Sequence, residues 1–133
     1  MTILFICQGN SGRSQIAEAF FNSLSKKGKA MSAGIKPDER IHPWTVRVMK
    51  EVGLDVSQQT PRLLTKGLIQ KADKIIVMDS DLLKIAPLKD LSKIESWQIE
   101  EPLGKSLKRV KRIRNEIREK VEQLINKIDT SYK

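Results

Sequence analysis

Two apolar patterns near the start of the chain frame a run of small and polar residues. Ile3-Leu4-Phe5-Ile6 is unbroken, and Ile16, Ala17, Phe20, Phe21 and Leu24 recur at helical spacing. The first has the length of a buried strand, the second the periodicity of an amphipathic helix. Between them lies Cys7-Gln8-Gly9-Asn10-Ser11-Gly12-Arg13-Ser14. A loop that leaves a strand's carboxyl end and enters a helix collects backbone N–H groups and the positive end of the helix dipole, so it favours an anion. The only cysteine opens this loop and an arginine lies near its end. A thiol in such a field is a ready nucleophile, and a guanidinium opposite it can grip two oxygens of a phosphate-like oxyanion. A cysteine after an apolar strand is by itself a small hydrophobe. Cysteine and arginine separated by five residues, between strand and helix, point instead to chemistry.

The remaining pattern predicts strands alternating with helices. The first strand is expected over Thr2–Ile6 and the first helix from Ser14 or Gln15 to about Lys26, with Gly28 as its C-cap. A second strand is expected over Lys29–Ala33, followed by a polar loop from Gly34 to His42 that should stand beside the anion cradle. Pro43 suits the first turn of a helix buried through Val46, Met49 and Val52 and ended by Gly53. Pro61 reads as the start of a helix running to about Lys71. Ile75-Ile76-Val77-Met78 is the clearest central strand. Asp79 caps a short helix over Leu82–Ile85 that Pro87 stops, Glu95–Ile99 is a weaker strand, and a long helix covers about Ser106 to Ile128. Its apolar stripe is Leu107, Val110, Ile113, Ile117, Val121, Leu124, Ile125 and Ile128. The alternation implies α/β architecture: one three-layer domain over residues 1–133, with a four-stranded parallel sheet flanked by helices. Ligands of such sheets bind beyond the strands' carboxyl ends, where the Cys7 loop lies.

Length and composition agree with one globular domain: 133 residues, 39% hydrophobic and 31% charged. No stretch has the length of a membrane span and no signal-peptide pattern opens the chain. A single cysteine makes no internal disulfide, and a nucleophilic thiol suits a reducing compartment, so a cytoplasmic location is expected. His42 is the sole histidine, with no partner at metal-ligand spacing, so neither metal nor other cofactor is expected. His42 reads as a loop or capping residue; with Trp44 it is also a candidate wall of the substrate cleft, a role implied by the family resemblance described next. The net charge of +9 raises a nucleic-acid reading through Lys105, Lys108, Arg109, Lys111, Arg112, Arg114, Arg118 and Lys120. Glu116 and Glu119 interrupt that face and aromatic content is only 5%, so a solvated helix back is the stronger interpretation.

Cys-x5-Arg-Ser followed by Gln15-Ile16-Ala17-Glu18-Ala19-Phe20 resembles the low-molecular-weight protein tyrosine phosphatase superfamily, which also holds the thioredoxin-coupled arsenate reductases. The resemblance continues through Ser32-Ala33-Gly34-Ile35, Gly53-Leu54-Asp55-Val56-Ser57, Val77-Met78-Asp79 and Glu101-Pro102. It implies that the backbone of Gln8, Gly9, Asn10, Ser11, Gly12 and Arg13 binds phosphate and that Cys7 attacks phosphorus to give a phosphocysteine. It further implies that Arg13 steadies the transition state, Ser14 holds the thiolate, and Asn10 holds the loop open. The family's proton donor is an aspartate before proline; Glu101-Pro102 matches it with one extra methylene.

The implied activity is phosphomonoester hydrolysis, most simply of phosphotyrosine in proteins or of small aryl phosphates, releasing inorganic phosphate from a monomer or weak dimer. Arsenate reduction is the alternative. The thioredoxin-coupled reductases pass electrons through further cysteines, and here Gly12, Asp79 and Ala86 stand at those positions. One cysteine cannot run a thiol relay, so reduction would need an external thiol. Glu101-Pro102-Leu103-Gly104, without the tyrosine pair of the phosphatases, is nearer to the reductases.

Overall fold

A computed structural model describes residues 1–85, 88 and 91–131. Four strands, β1 (Thr2–Cys7), β2 (Lys29–Gly34), β3 (Lys74–Val77) and β4 (Ile94–Ser96), form one parallel sheet in the order β2-β1-β3-β4. The α/β, four-stranded expectation holds. Alternate residues of β1 and β3 enter opposite layers, which is why both strands are apolar after their first residue, Thr2 or Lys74. Ile3, Phe5, Cys7, Ile76 and Met78 face one core with helices α1 (Arg13–Leu24), α2 (Pro43–Lys50) and α4 (Leu107–Ser131). Leu4, Ile6, Ile75 and Val77 face another with helix α3 (Lys66–Lys71) and a 3₁₀ turn at Ser80–Lys84. Phe5 stacks edge-on to Phe21 at 6.2 Å and leans on Trp97 at 5.7 Å, tying β1 to α1 and to the chain after β4.

Helix α4 lays its predicted stripe on the first core, with Ile117 and Val121 fully buried. Its basic residues are less free than their spacing suggests. Arg114, counted above with the solvated face, is buried; it donates to the Val48 carbonyl at 2.9 Å and to Glu51 at 3.1 Å, pinning α2. Lys111 also pairs with Glu51, and Lys105 and Arg109 pair with Glu100. No helix of the described residues is long and apolar enough to cross a membrane.

Several boundaries differ from expectation, three of them for a local reason. Helix α1 ends at Leu24, capped by Ser25, and Gly28 serves close packing instead: a Cβ there would meet the Phe21 ring at 2.8 Å. The segment after Pro61 is extended rather than helical. Gly34 donates to the Arg62 carbonyl and accepts from Leu64 N–H, so this stretch completes the hydrogen bonds at the end of β2, and α3 starts only after the Thr65 cap. Strand β4 is shorter than Glu95–Ile99, because Trp97 and Ile99 bond to Val77 and Met78 as the chain crosses the end of β3. Both β1 and β2 extend one residue further, placing Cys7 opposite Gly34. Pro87 and Ala86 lie outside the described residues.

Candidate active site

β1 lies between β2 and β3, so the chain leaves its carboxyl end at the point where strand order reverses. The Cys7–Ser14 loop fills that point and runs directly into α1. Gly12 occupies the N-cap of α1, and no side chain caps the helix start. The first-turn donors are therefore left to whatever anion enters the cleft.

Asn10 shapes the loop. Its φ of 51° is the only positive value among described non-glycine residues, a conformation that asparagine tolerates better than most side chains. It turns the Asn10 N–H onto the Cys7 sulfur at 3.2 Å. Its side-chain Nδ2 donates to Ser14 Oγ at 2.7 Å, and Ser14 Oγ lies 2.9 Å from Cys7 Sγ. A hydroxyl that accepts from Asn10 has its own proton free for the sulfur. Cys7 is 3% exposed and thus sits on the cleft floor with two donors directed at it.

Neighbouring segments fasten the loop through backbone bonds. Ile35, Lys36 and Asp38 N–H groups donate to the carbonyls of Cys7, Gln8 and Gly9, and His42 N–H donates to Ser11 at 3.1 Å. The Gly34–His42 loop therefore stands beside the cradle as expected. Gly34 must lack a side chain, since a Cβ would lie 2.9 Å from Gln8 O and 3.0 Å from Asn10 N. Gly9 is covered by the Asp38 carboxylate, which also accepts from Ser11 Oγ.

Arg13 is almost buried, at 4% exposure. Its NH1 donates to the carbonyls of Ile99 at 2.9 Å and Met78 at 3.3 Å, and its NH2 reaches Glu101 at 3.1 Å. Asp79 stands 3.9 Å from NH1. The two adjacent glutamates separate. Glu100 turns to α4, where the Arg109 hydrogen bond, with Lys105 nearby, holds its carboxyl below the usual range. Glu101 turns to the cleft and accepts from Arg13 and from Leu103 N–H.

The cleft holds about 340 Å³ and is lined by Cys7, Gln8, Gly9, Ser11, Gly12 and Arg13, with Asp38, His42, Trp44 and Glu101 around them. His42 caps α2, its Nδ1 accepting from Trp44 N–H at 3.2 Å, and it also lines the cleft. Trp44 is 37% exposed at the rim, with the Arg47 guanidinium over its ring. All these candidate site residues therefore gather in one place, although Asn10 and Ser14 lie behind the cleft wall. Sequence reasoning missed Asp38, Asp79 and the carbonyls of Met78 and Ile99. Asp79 follows the clearest strand and was open to inference, whereas backbone carbonyls have no side-chain signature. Among the described residues no cluster of His, Cys, Asp or Glu is suited to a metal.

A thiol and an arginine share a strand–loop–helix cradle of a kind suited to a tetrahedral oxyanion. The family model for low molecular weight phosphotyrosine protein phosphatase matches residues 2–133, and the chain belongs to that family. It is 35% identical to arsenate reductase 1 of Staphylococcus epidermidis, over 96% of this chain and 97% of that protein. Among solved structures it resembles the low molecular weight protein tyrosine phosphatase from T. tengcongensis with a TM-score of 0.88 and 29% identity, covering 96% of this chain and 99% of that one. An arsenate reductase in the phosphate binding state matches with a TM-score of 0.85 and 34% identity, covering 96% and 98%.

Proposed function

We propose that Cys7 forms a covalent adduct with a tetrahedral oxyanion, and that the adduct is arsenate resolved by an external thiol. The observation that carries the shared first step is the Asn10–Ser14–Cys7 hydrogen-bond chain, which directs two donors at one sulfur. The identity to proteins named arsenate reductase favours arsenic over phosphorus.

Arsenate enters with its oxygens on the loop N–H groups and Arg13. The thiolate attacks arsenic in line, an S–As bond forms, and an As–O bond breaks, its oxygen leaving as water with a proton from Glu101. Arg13, anchored through NH1, turns NH2 from Glu101 to the oxyanion and matches the charge that develops on it. An external thiolate then attacks the Cys7 sulfur. An S–S bond forms and the As–S electron pair stays on arsenic, which leaves as arsenite. A second thiol reduces the mixed disulfide and returns Cys7. Two external thiols become one disulfide, as the presence of a single cysteine demands.

Phosphomonoester hydrolysis is the second reading, favoured by a sequence whose single cysteine offers no thiol relay. Water then resolves a phosphocysteine, and a phosphorylated protein or small aryl phosphate is the substrate. The deciding experiment is a side-by-side assay of arsenate reduction with glutathione, thioredoxin or glutaredoxin and of p-nitrophenyl phosphate hydrolysis without metal. Arsenite formation that depends on an added thiol supports the first reading; phosphate release with no arsenite formation replaces it with the second.

A further inference from the structure

Asn10 can direct Ser14 at Cys7 only if its amide is held one way round, with Nδ2 toward Ser14. Two groups hold it there from behind. The backbone N–H of Arg62 donates to Asn10 Oδ1 at 2.9 Å, and Gln15 Nε2 donates to the same oxygen at 3.1 Å. A backbone N–H cannot accept, so the Arg62 bond fixes which end of the Asn10 amide faces it. Gln15 adds a side-chain donor to the same atom while leaving its own Oε1 buried with no partner among the described residues. Gln15 is 2% exposed. It lines a rear cavity of about 400 Å³ with Glu18, Gln59, Thr60 and Arg62, and it is absent from the lining of the substrate cleft.

We propose that Gln15 is a positioning residue for the Cys7 thiolate: it locks the Asn10 amide so that Ser14 must donate its proton to the sulfur. The chain of donors runs Gln15 to Asn10, Asn10 to Ser14 and Ser14 to Cys7, so a residue that touches no substrate sets how firmly a donor is aimed at the sulfur. The inference rests on the reading of Cys7 as the nucleophile. Gln15→Leu removes one donor and leaves Arg62 to hold Asn10. Gln15→Glu places a carboxylate against Asn10 Oδ1, where it repels that oxygen and works against the Arg62 bond that holds the amide.

The test is alkylation by iodoacetamide without substrate at one neutral pH, followed by intact mass; Cys7 is the only cysteine, so each added mass reports that residue. The rate should fall about threefold in Gln15→Leu and about tenfold in Gln15→Glu, because the sulfur loses a directed donor. Protection by inorganic phosphate should be kept in both. Rates equal to wild type in folded variants overturn the proposal, and a change in melting temperature alone counts as that outcome. If Gln15→Glu does not fold, Gln15→Leu decides. A wild-type Cys7 that is not alkylated, or that inorganic phosphate does not protect, overturns the nucleophile reading itself, and this proposal with it.

Discussion

Two loops meet over Arg13, and they are built in opposite ways. In the Cys7–Ser14 loop, Asn10, Arg13 and Ser14 are all buried and bonded to partners from several segments. In the Glu101–Gly104 loop, Leu103 is 64% exposed and the Glu101 side chain 53% exposed. That loop is held by Leu103 N–H on Glu101, Lys105 N–H on Pro102, and Gly104 at a φ of 77°. The difference assigns different work to each. A preorganised, desolvated cradle can be complementary to transition-state charge. A solvated rim can exchange partners as a substrate enters, which the proposed proton-donor role of Glu101 requires.

Substitutions can break or sharpen this contrast, beginning with the largest effect. Arg13→Lys keeps the charge but loses the fork, and turnover should fall by about 10²–10³-fold with a smaller change in KM; equal losses in both would mean that Arg13 only binds. Gly34→Ala forces a Cβ onto the backbone of Gln8 and Asn10, where no flexible side chain can yield, and should destabilise by about 1–3 kcal/mol in urea unfolding. At Gly9, by contrast, the obstacle is the Asp38 side chain, which can rotate away, so Gly9→Ala should be milder. Glu101→Gln should slow turnover more for poor leaving groups, such as alkyl phosphates, than for activated aryl phosphates, while changing stability by no more than about 1 kcal/mol because the pair is half solvated. Equal slowing on both substrates would move the proton-donor role elsewhere.

The smallest effect is electrostatic and lies behind the cradle. Burial pushes the Glu18 carboxyl up, only partly offset by the Ser32 hydrogen bond and the attraction of Arg62. A carboxyl whose folded value is raised weakens the fold once ionised, and the penalty disappears as pH falls below its unfolded value. Glu18→Gln should therefore raise the melting temperature slightly at neutral pH, with the gain shrinking to nothing in acid. A gain that persists in acid would assign the effect to packing.

The same contrast governs what was legible in the sequence. The cradle is local: strand, loop and helix follow one another, so the spacing of Cys7 and Arg13 already describes it. The fastenings are not local. Asp38 reads as one more polar residue in a loop, and the Met78 and Ile99 carbonyls that orient Arg13 leave no mark on residue type. Pro61 misleads for a related reason. Proline suits both a helix start and an extended segment, and the decision falls to Gly34, whose backbone groups at the end of β2 draw residues 62–64 into line. Arg114 fits the basic pattern of α4, yet a carbonyl and a carboxylate on α2 and its C-cap draw it inward.

The most direct test of the account is turnover by Cys7→Ser beside wild type, on arsenate with an external thiol and on an aryl phosphate, with inorganic phosphate binding measured on both proteins. The account predicts turnover by wild type, a loss of at least about a thousandfold in the variant, and phosphate binding retained by both. A folded Cys7→Ser protein that still turns over either oxyanion contradicts it.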